Sequence, residues 1–207
     1  MLLGVGYSQC DANGDGDLNV LDVVIEVDCI LTDCWEGGPV CEDIDGNVYE
    51  TIQIGEQLWM AENLKVTHYN DGSEIPTGYN NEDWGILEDG AYAVYPIDED
   101  EASQSTCGDD CADVYGNFYN WYAVDDNRGM CSEYWHIPTD EEIKVLEVYL
   151  GMSESEANSW GWRGTDEGGK LKEEGTAHWA SPNTGATNES GFTALPGGSR
   201  FHYDGIY

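Results

Sequence analysis

Residues 135–150, WHIPTDEEIKVLEVYL, constrain the fold more than any other stretch, because they encode a helix together with its own first turn. Pro138 breaks the preceding extended run, and Thr139 is an N-cap residue whose hydroxyl accepts a first-turn N–H. Glu142, three residues on, is placed to reach back and close a capping box. Asp140, Glu141 and Glu142 set negative charge at the positive end of the helix dipole. Ile143, Leu146, Tyr149 and Leu150 recur at helical spacing as one apolar stripe, and Gly151 ends the helix. Such a stripe needs a sheet or a second layer to cover it, so the main body of the chain is expected to be arranged around it. The stretch carries architecture and no chemistry.

The flanking segments predict the cover. Residues 48–54 alternate as a strand, Gly55-Glu56 turns, and residues 57–60 return, which makes a β-hairpin. Ahead of it, Asp43-Ile44-Asp45-Gly46-Asn47 has the look of a calcium-loop fragment, but its ligand set stops short, and a turn leading into a strand is the expected form. Asn70-Asp71-Gly72 predicts another turn, and Tyr92-Ala93-Val94-Tyr95 a further short strand. After the main helix, Ser153 and Glu156 predict a second short helix over 153–160 with its own capping box. From Gly164 onward Gly, Asn, Ser and Thr dominate, and frequent turns follow. Short strands with one or two helices define an α+β domain.

Charge narrows the partners. The chain has 42 Asp and Glu against 7 Lys and Arg, a formal charge of −35. Nucleic acid and anionic membrane surfaces are poor partners, since both require basic footprints, whereas divalent cations are good ones. A surface kept soluble in salty or calcium-rich surroundings explains the same bias without any specific function. Eight Trp and thirteen Tyr set the chain apart from disordered acidic sequences, which lack aromatics. No run approaches the ~18 apolar residues of a membrane span.

Seven cysteines form two groups: Cys10, Cys29, Cys34 and Cys41, then Cys107, Cys111 and Cys131. Neither has His at zinc-finger spacing, so disulfides in an oxidising compartment are the expected use. The odd count leaves at least one thiol without a partner inside the chain. Residues 1–9, MLLGVGYSQ, read as the remnant of a secretory signal peptide, with an apolar piece and small residues but no basic start. Secretion or display at a cell surface is therefore expected.

The sharpest motif lies in residues 11–22, DANGDGDLNVLD, which fit a calcium loop position by position. Asp11, Asn13 and Asp15 present side-chain oxygens at positions one, three and five. Gly16 takes the sharp turn, and Asp17 offers a backbone carbonyl at seven. Asn19 stands at nine and Asp22 at twelve. A hard cation wanting six to eight oxygens explains ligands that alternate along so short a loop. Val20, Val23, Val24, Val27, Ile30 and Leu31 then mark the buried face of a helix. One EF-hand-like loop followed by one helix resembles a single type I dockerin repeat, spanning residues 10–34. Cys10, Cys29, Cys34 and Cys41 bracket the module and are placed to staple it, in any of three pairings. Residues 35–41, with Gly37-Gly38-Pro39, form a linker.

Residues 98–113 read as an acidic loop, better explained as a solvated charge run than as a calcium site, in which Cys107 and Cys111 are placed to close a local disulfide. His136 and His178 each stand beside a Trp, and packing or surface positions are expected for both.

Several separate blocks resemble the Fibrobacter succinogenes major paralogous domain (FISUMP) family, in the family's order. They are DIDGNVYETIQIGEQLWMAENL (43–64), YGNFYNWYAV (115–124), CSEYWHIPTDEE (131–142) and GGKLKEEGTAHWASPNTGATNESGFTALPGGSR (168–200). The resemblance covers residues 42–207. It implies a C-type-lectin-like fold related to formylglycine-generating enzymes, with WHIPTDEE as the strand-to-helix entry. It also implies a closing segment beyond Tyr207, cut off here, that carries the partner of Cys131.

Three functions follow. The first is a secreted or cell-surface, non-catalytic binding or structural protein, stabilised by Ca2+ and directed at carbohydrate, matrix or other surface proteins. The second is a self-assembling subunit of an extracellular filament or surface layer. An enzyme of the formylglycine-generating type is the least supported, because that chemistry needs a late cysteine pair and no cysteine follows Cys131.

Overall fold

The computed structural model describes residues 5–6, 41–94, 111–132 and 135–201. The expected calcium loop with its candidate ligands Asp11, Asn13, Asp15, Asp17, Asn19 and Asp22, the helix expected after it, and Cys10, Cys29, Cys34 and Cys107 lie outside the described residues. Strands are β1 (Val5–Gly6), β2 (Cys41–Glu42), β3 (Val48–Tyr49), β4 (Thr51–Ile54), β5 (Gln57–Met60), β6 (Tyr92–Val94), β7 (Asn117–Tyr119) and β8 (Trp135–His136). Helices are α1 (Asn81–Trp84), α2 (Cys111–Tyr115), α3 (Trp121–Val124), α4 (Asp140–Tyr149), α5 (Glu154–Ala157) and α6 (Glu167–Leu171).

The hairpin forms as its alternation requires. β4 and β5 pair antiparallel, with Thr51 opposite Met60 and Ile54 opposite Gln57. Trp59 and Met60 on the returning strand are fully buried. Gly55 takes the turn at φ +63°. A Cβ there would meet the Tyr149 ring at 2.8 Å, so the position needs both the left-handed backbone and the missing side chain. The sheet is built in the order β4-β5-β1-β8, every pair antiparallel. β1 comes from the segment whose composition reads as a leader remnant. The pairs β2–β3 and β6–β7 make two smaller antiparallel sheets. Cys41, at the end of the expected linker, already belongs to β2.

The acidic turn between β2 and β3 is structural. Asp43 is 6% exposed. Its Oδ1 accepts from the backbone N–H groups of Asp45 and Asn47, at 2.9 and 3.0 Å. Its Oδ2 accepts from the Tyr49 hydroxyl at 2.6 Å and Asn47 Nδ2 at 2.9 Å. The carboxylate is occupied within its own turn, which explains why this fragment is a turn into a strand.

α4 has the expected start: Thr139 accepts from Glu142 N while Glu142 reaches back to the Thr139 backbone. Leu146 and Leu150 are buried with Ile54, Trp59 and Phe192, and Ile143 packs alongside. Trp59 meets Phe192 edge-on at 6.0 Å. The stripe is narrower than its spacing implies, for Tyr149 is 63% exposed. At about 100° per residue, Ile143 and Leu150 flank Leu146 on one side and Tyr149 falls on the other, at the sheet margin over Gly55.

Two further expectations are corrected. The second helix spans only Glu154–Ala157, and its capping box is half built. Ser153 accepts from Glu156 N, but the Glu156 carboxylate is drawn away to Gly164 N at 3.2 Å. The end of the acidic stretch is helical rather than loop, since α2 begins at Cys111. Cys111 is disulfide-bonded, its partner lying outside the described residues. Among the described residues no helix is long and apolar enough to cross a membrane.

Candidate functional site

A cleft of about 320 Å3 opens where the segment after β5, the end of α2 and residues 173–195 converge. Ala61, Phe192 and Ala194 contribute apolar lining, and charged side chains contribute the rest of its character. Four carboxylates, Glu50, Glu62, Asp113 and Glu173, line it together with Lys65 and His178. Lys65 Nζ approaches Asp113 Oδ1 at 3.5 Å, with the lysine mostly covered and the aspartate mostly exposed. The surplus of carboxylates makes the cleft hostile to anions and receptive to hydroxyl or ammonium donors.

Backbone links hold the wall. Glu173 N donates to Ala194 O at 3.1 Å, and Ala194 N to Leu171 O at 2.7 Å, which ties the end of α6 to residue 194. The Trp179 indole N–H donates to Ala194 O at 2.9 Å, and Lys172 Nζ sits 4.0 Å from the Trp179 ring centre. Asn183 Nδ2 donates to Glu173 O and Gly175 O, at 2.9 and 2.6 Å.

Thr193, a cleft residue, has φ +56°. This is an outlier for a β-branched side chain. Asn188 holds it from both sides: Thr193 N donates to Asn188 Oδ1 at 2.8 Å, and Asn188 Nδ2 to Thr193 Oγ1 at 2.9 Å. Asn188 and Asn183 are themselves at φ +45° and +47°. Strain of this order persists only where the surroundings over-determine it, and it concentrates at ligand sites.

His178 Nδ1 lies 2.9 and 3.0 Å from the two Glu173 carboxylate oxygens, and its ring meets Tyr115 edge-on at 5.9 Å. The carboxylate selects the Nδ1–H tautomer and leaves Nε2 as the second polar atom of the ring. His136 does not join this site. It bonds Glu142 Oε1 at 2.7 Å, tying β8 to the start of α4. Burial raises the Glu142 carboxyl, but hydrogen bonds from Thr139 and His136 outweigh it and hold the group below the usual carboxylate range.

Sequence reasoning singled out His178 but not its partner Glu173, nor Thr193, Asn188 and the Lys65–Asp113 pair. The available signal was the density of Asn and Gly over 183–193, which marks turns with positive φ. Among the described residues no group of three or more His, Cys, Asp or Glu is placed to hold a metal.

These features define an α+β domain of small antiparallel sheets that carries an acidic cleft with a strained wall. The chain belongs to the Fibrobacter succinogenes major domain family, whose model matches residues 52–206. No curated protein and no solved structure matches it.

Proposed function

We propose that this chain is a secreted or cell-surface, non-catalytic binding protein whose cleft takes a neutral, hydroxyl-rich ligand of the carbohydrate class. Thr193 carries the reading: a β-branched residue kept at positive φ in a cleft wall by a reciprocal pair of bonds from Asn188. Carboxylates beside apolar side chains accept paired hydroxyls, while the excess of negative charge turns anionic ligands away. The domain is read as C-type-lectin-like, with the β8-to-α4 passage as its strand-to-helix entry. The N-terminal module is read as dockerin-like, holding Ca2+ through Asp11, Asn13, Asp15, Asp17, Asn19 and Asp22. Cys107 and Cys111, in the acidic stretch of the main domain, are read as a local disulfide.

A glycan array of neutral and acidic sugars, probed with and without millimolar calcium, tests the cleft. Binding confined to neutral glycans and lost in Glu173→Ala supports it. An array without a binder, or binding untouched by that substitution, removes it. Calorimetry tests the module separately: calcium binding should disappear in Asp11→Ala and Asp15→Ala, and unchanged affinity in both sinks the loop assignment.

Self-assembly is the second reading, favoured by Trp160 and Trp162, whose side chains are fully exposed. Sedimentation velocity should then show oligomers that Trp160→Ala with Trp162→Ala dissociates, and a monomer at all concentrations removes this reading.

A further inference from the structure

We propose that Cys41 and Cys131 are a redox pair, oxidised to an intramolecular disulfide that ties β2 to the segment ahead of β8. The two are thiols in this structure, 4% and 7% exposed, in one core cluster with Tyr49, Met60 and Leu64. Cys41 Sγ lies 3.1 Å from the hydroxyl of Ser132, the residue next to Cys131. Strand pairing sets one side, with Cys41 opposite Tyr49. Asn70 Nδ2 sets the other by donating to Cys131 O at 2.7 Å. The sulfurs sense each other: burial, then the charge of Cys41, pushes the Cys131 thiol up to about 12.

The pairing redistributes the cysteines. Cys41 reads in sequence as one of four that staple the N-terminal module. The fold instead sets Cys41 in the main domain beside Cys131. The oxidant is an external disulfide, either glutathione-type or on an oxidoreductase. One thiolate attacks its sulfur and forms a mixed disulfide, and the first external thiolate leaves. The second cysteine, deprotonated, then attacks the protein-bound sulfur and expels the other external thiol. Two protein thiols are oxidised, one external disulfide becomes two thiols, and the protons end on those thiols. Both sulfurs are buried in the folded core, which disfavours the thiolate and shuts out an external disulfide, so closure belongs to folding rather than to the finished domain.

The test uses the full chain, reduced, unfolded and refolded in a buffer of reduced and oxidised glutathione, then alkylated and digested without reduction. The expected product is a peptide pair joined through Cys41 and Cys131. Its reduction should lower the melting midpoint by roughly 10 °C, since the bond closes a long loop. Oxidised glutathione added to the folded, reduced protein should form the pair far more slowly than refolding does. In Cys131→Ser, Cys41 should return to the alkylated fraction. The proposal is overturned if both cysteines are alkylated after refolding, or if Cys41 is joined to Cys10, Cys29 or Cys34 while Cys131 is alkylated. The peptide map is made on the unaltered chain, so a variant that fails to fold leaves the answer standing. A failed glycan array bears on the cleft alone.

Discussion

His136 meets Glu142 at 2.7 Å and His178 meets Glu173 at 2.9 Å, and each histidine is the sequence neighbour of a tryptophan. Their surroundings separate them. Glu142 also accepts from the backbone N–H and hydroxyl of Thr139, both at 2.8 Å, so its charge is absorbed into the first turn of α4. Glu173 gives both carboxylate oxygens to one imidazole nitrogen, while its backbone is gripped by Ala194 and Asn183. The first pair closes a helix cap, and the second stands in a cleft beside a strained threonine. One side-chain pairing thus serves architecture or a site, depending on which other donors reach the carboxylate.

The architectural pole should be the more fragile. Leu146→Ala, which empties a buried position under α4, is expected to cost about 3 kcal/mol in urea denaturation and to leave cleft binding intact. Glu142→Ala removes the cap and the partner of His136, for about 1–2 kcal/mol by the same measurement. A larger loss of binding than of stability there would erase the contrast between the two pairs.

Acid sharpens the same comparison. In the folded state burial raises the Glu142 carboxyl, but the hydrogen bonds from Thr139 and His136 outweigh it and hold the group below its ordinary pKa of 4.5. Its contribution is therefore fully present above the unfolded pKa and is lost as pH falls through the folded one. The stability gap between the native chain and Glu142→Gln should hold constant from pH 6 to 8 and close below about pH 4.5. A gap that persists under acid would show that the amide fails for steric reasons rather than for want of charge.

The cleft pole should show the reverse balance. Glu173→Ala is expected to cost less than about 1 kcal/mol in stability, as for a partly exposed ion pair. It should weaken any array-identified glycan tenfold or more in calorimetry. Thr193→Gly is the smallest effect, within about 1 kcal/mol of neutral, because relief of φ strain offsets the lost bond from Asn188. A strongly destabilised glycine variant would show that Thr193 is not strained in the native state.

Legibility followed range. The α4 cap, the β4–β5 hairpin, the Asp43 turn and the Asn70-Asp71-Gly72 turn could be read from residues, because their hydrogen bonds join partners a few positions apart. The exposure of Tyr149 and the diversion of Glu156 to Gly164 could not, since each depends on what tertiary packing sets beside the helix. The cleft was less legible still: its wall joins Glu50, Asp113 and Thr193, which share no periodicity.

By itself the sequence determined the acidic surface, the capped helix, the hairpin, the turns and the family blocks, all properties of composition or of neighbouring residues. Only the tertiary structure decided that Cys41 sits beside Cys131, that Glu173 engages His178 at a cleft, and that Thr193 is held at positive φ. Such contacts follow from which core the whole chain can close. Their loop-closure cost is met by the summed burial of distant segments, so no local pattern records them.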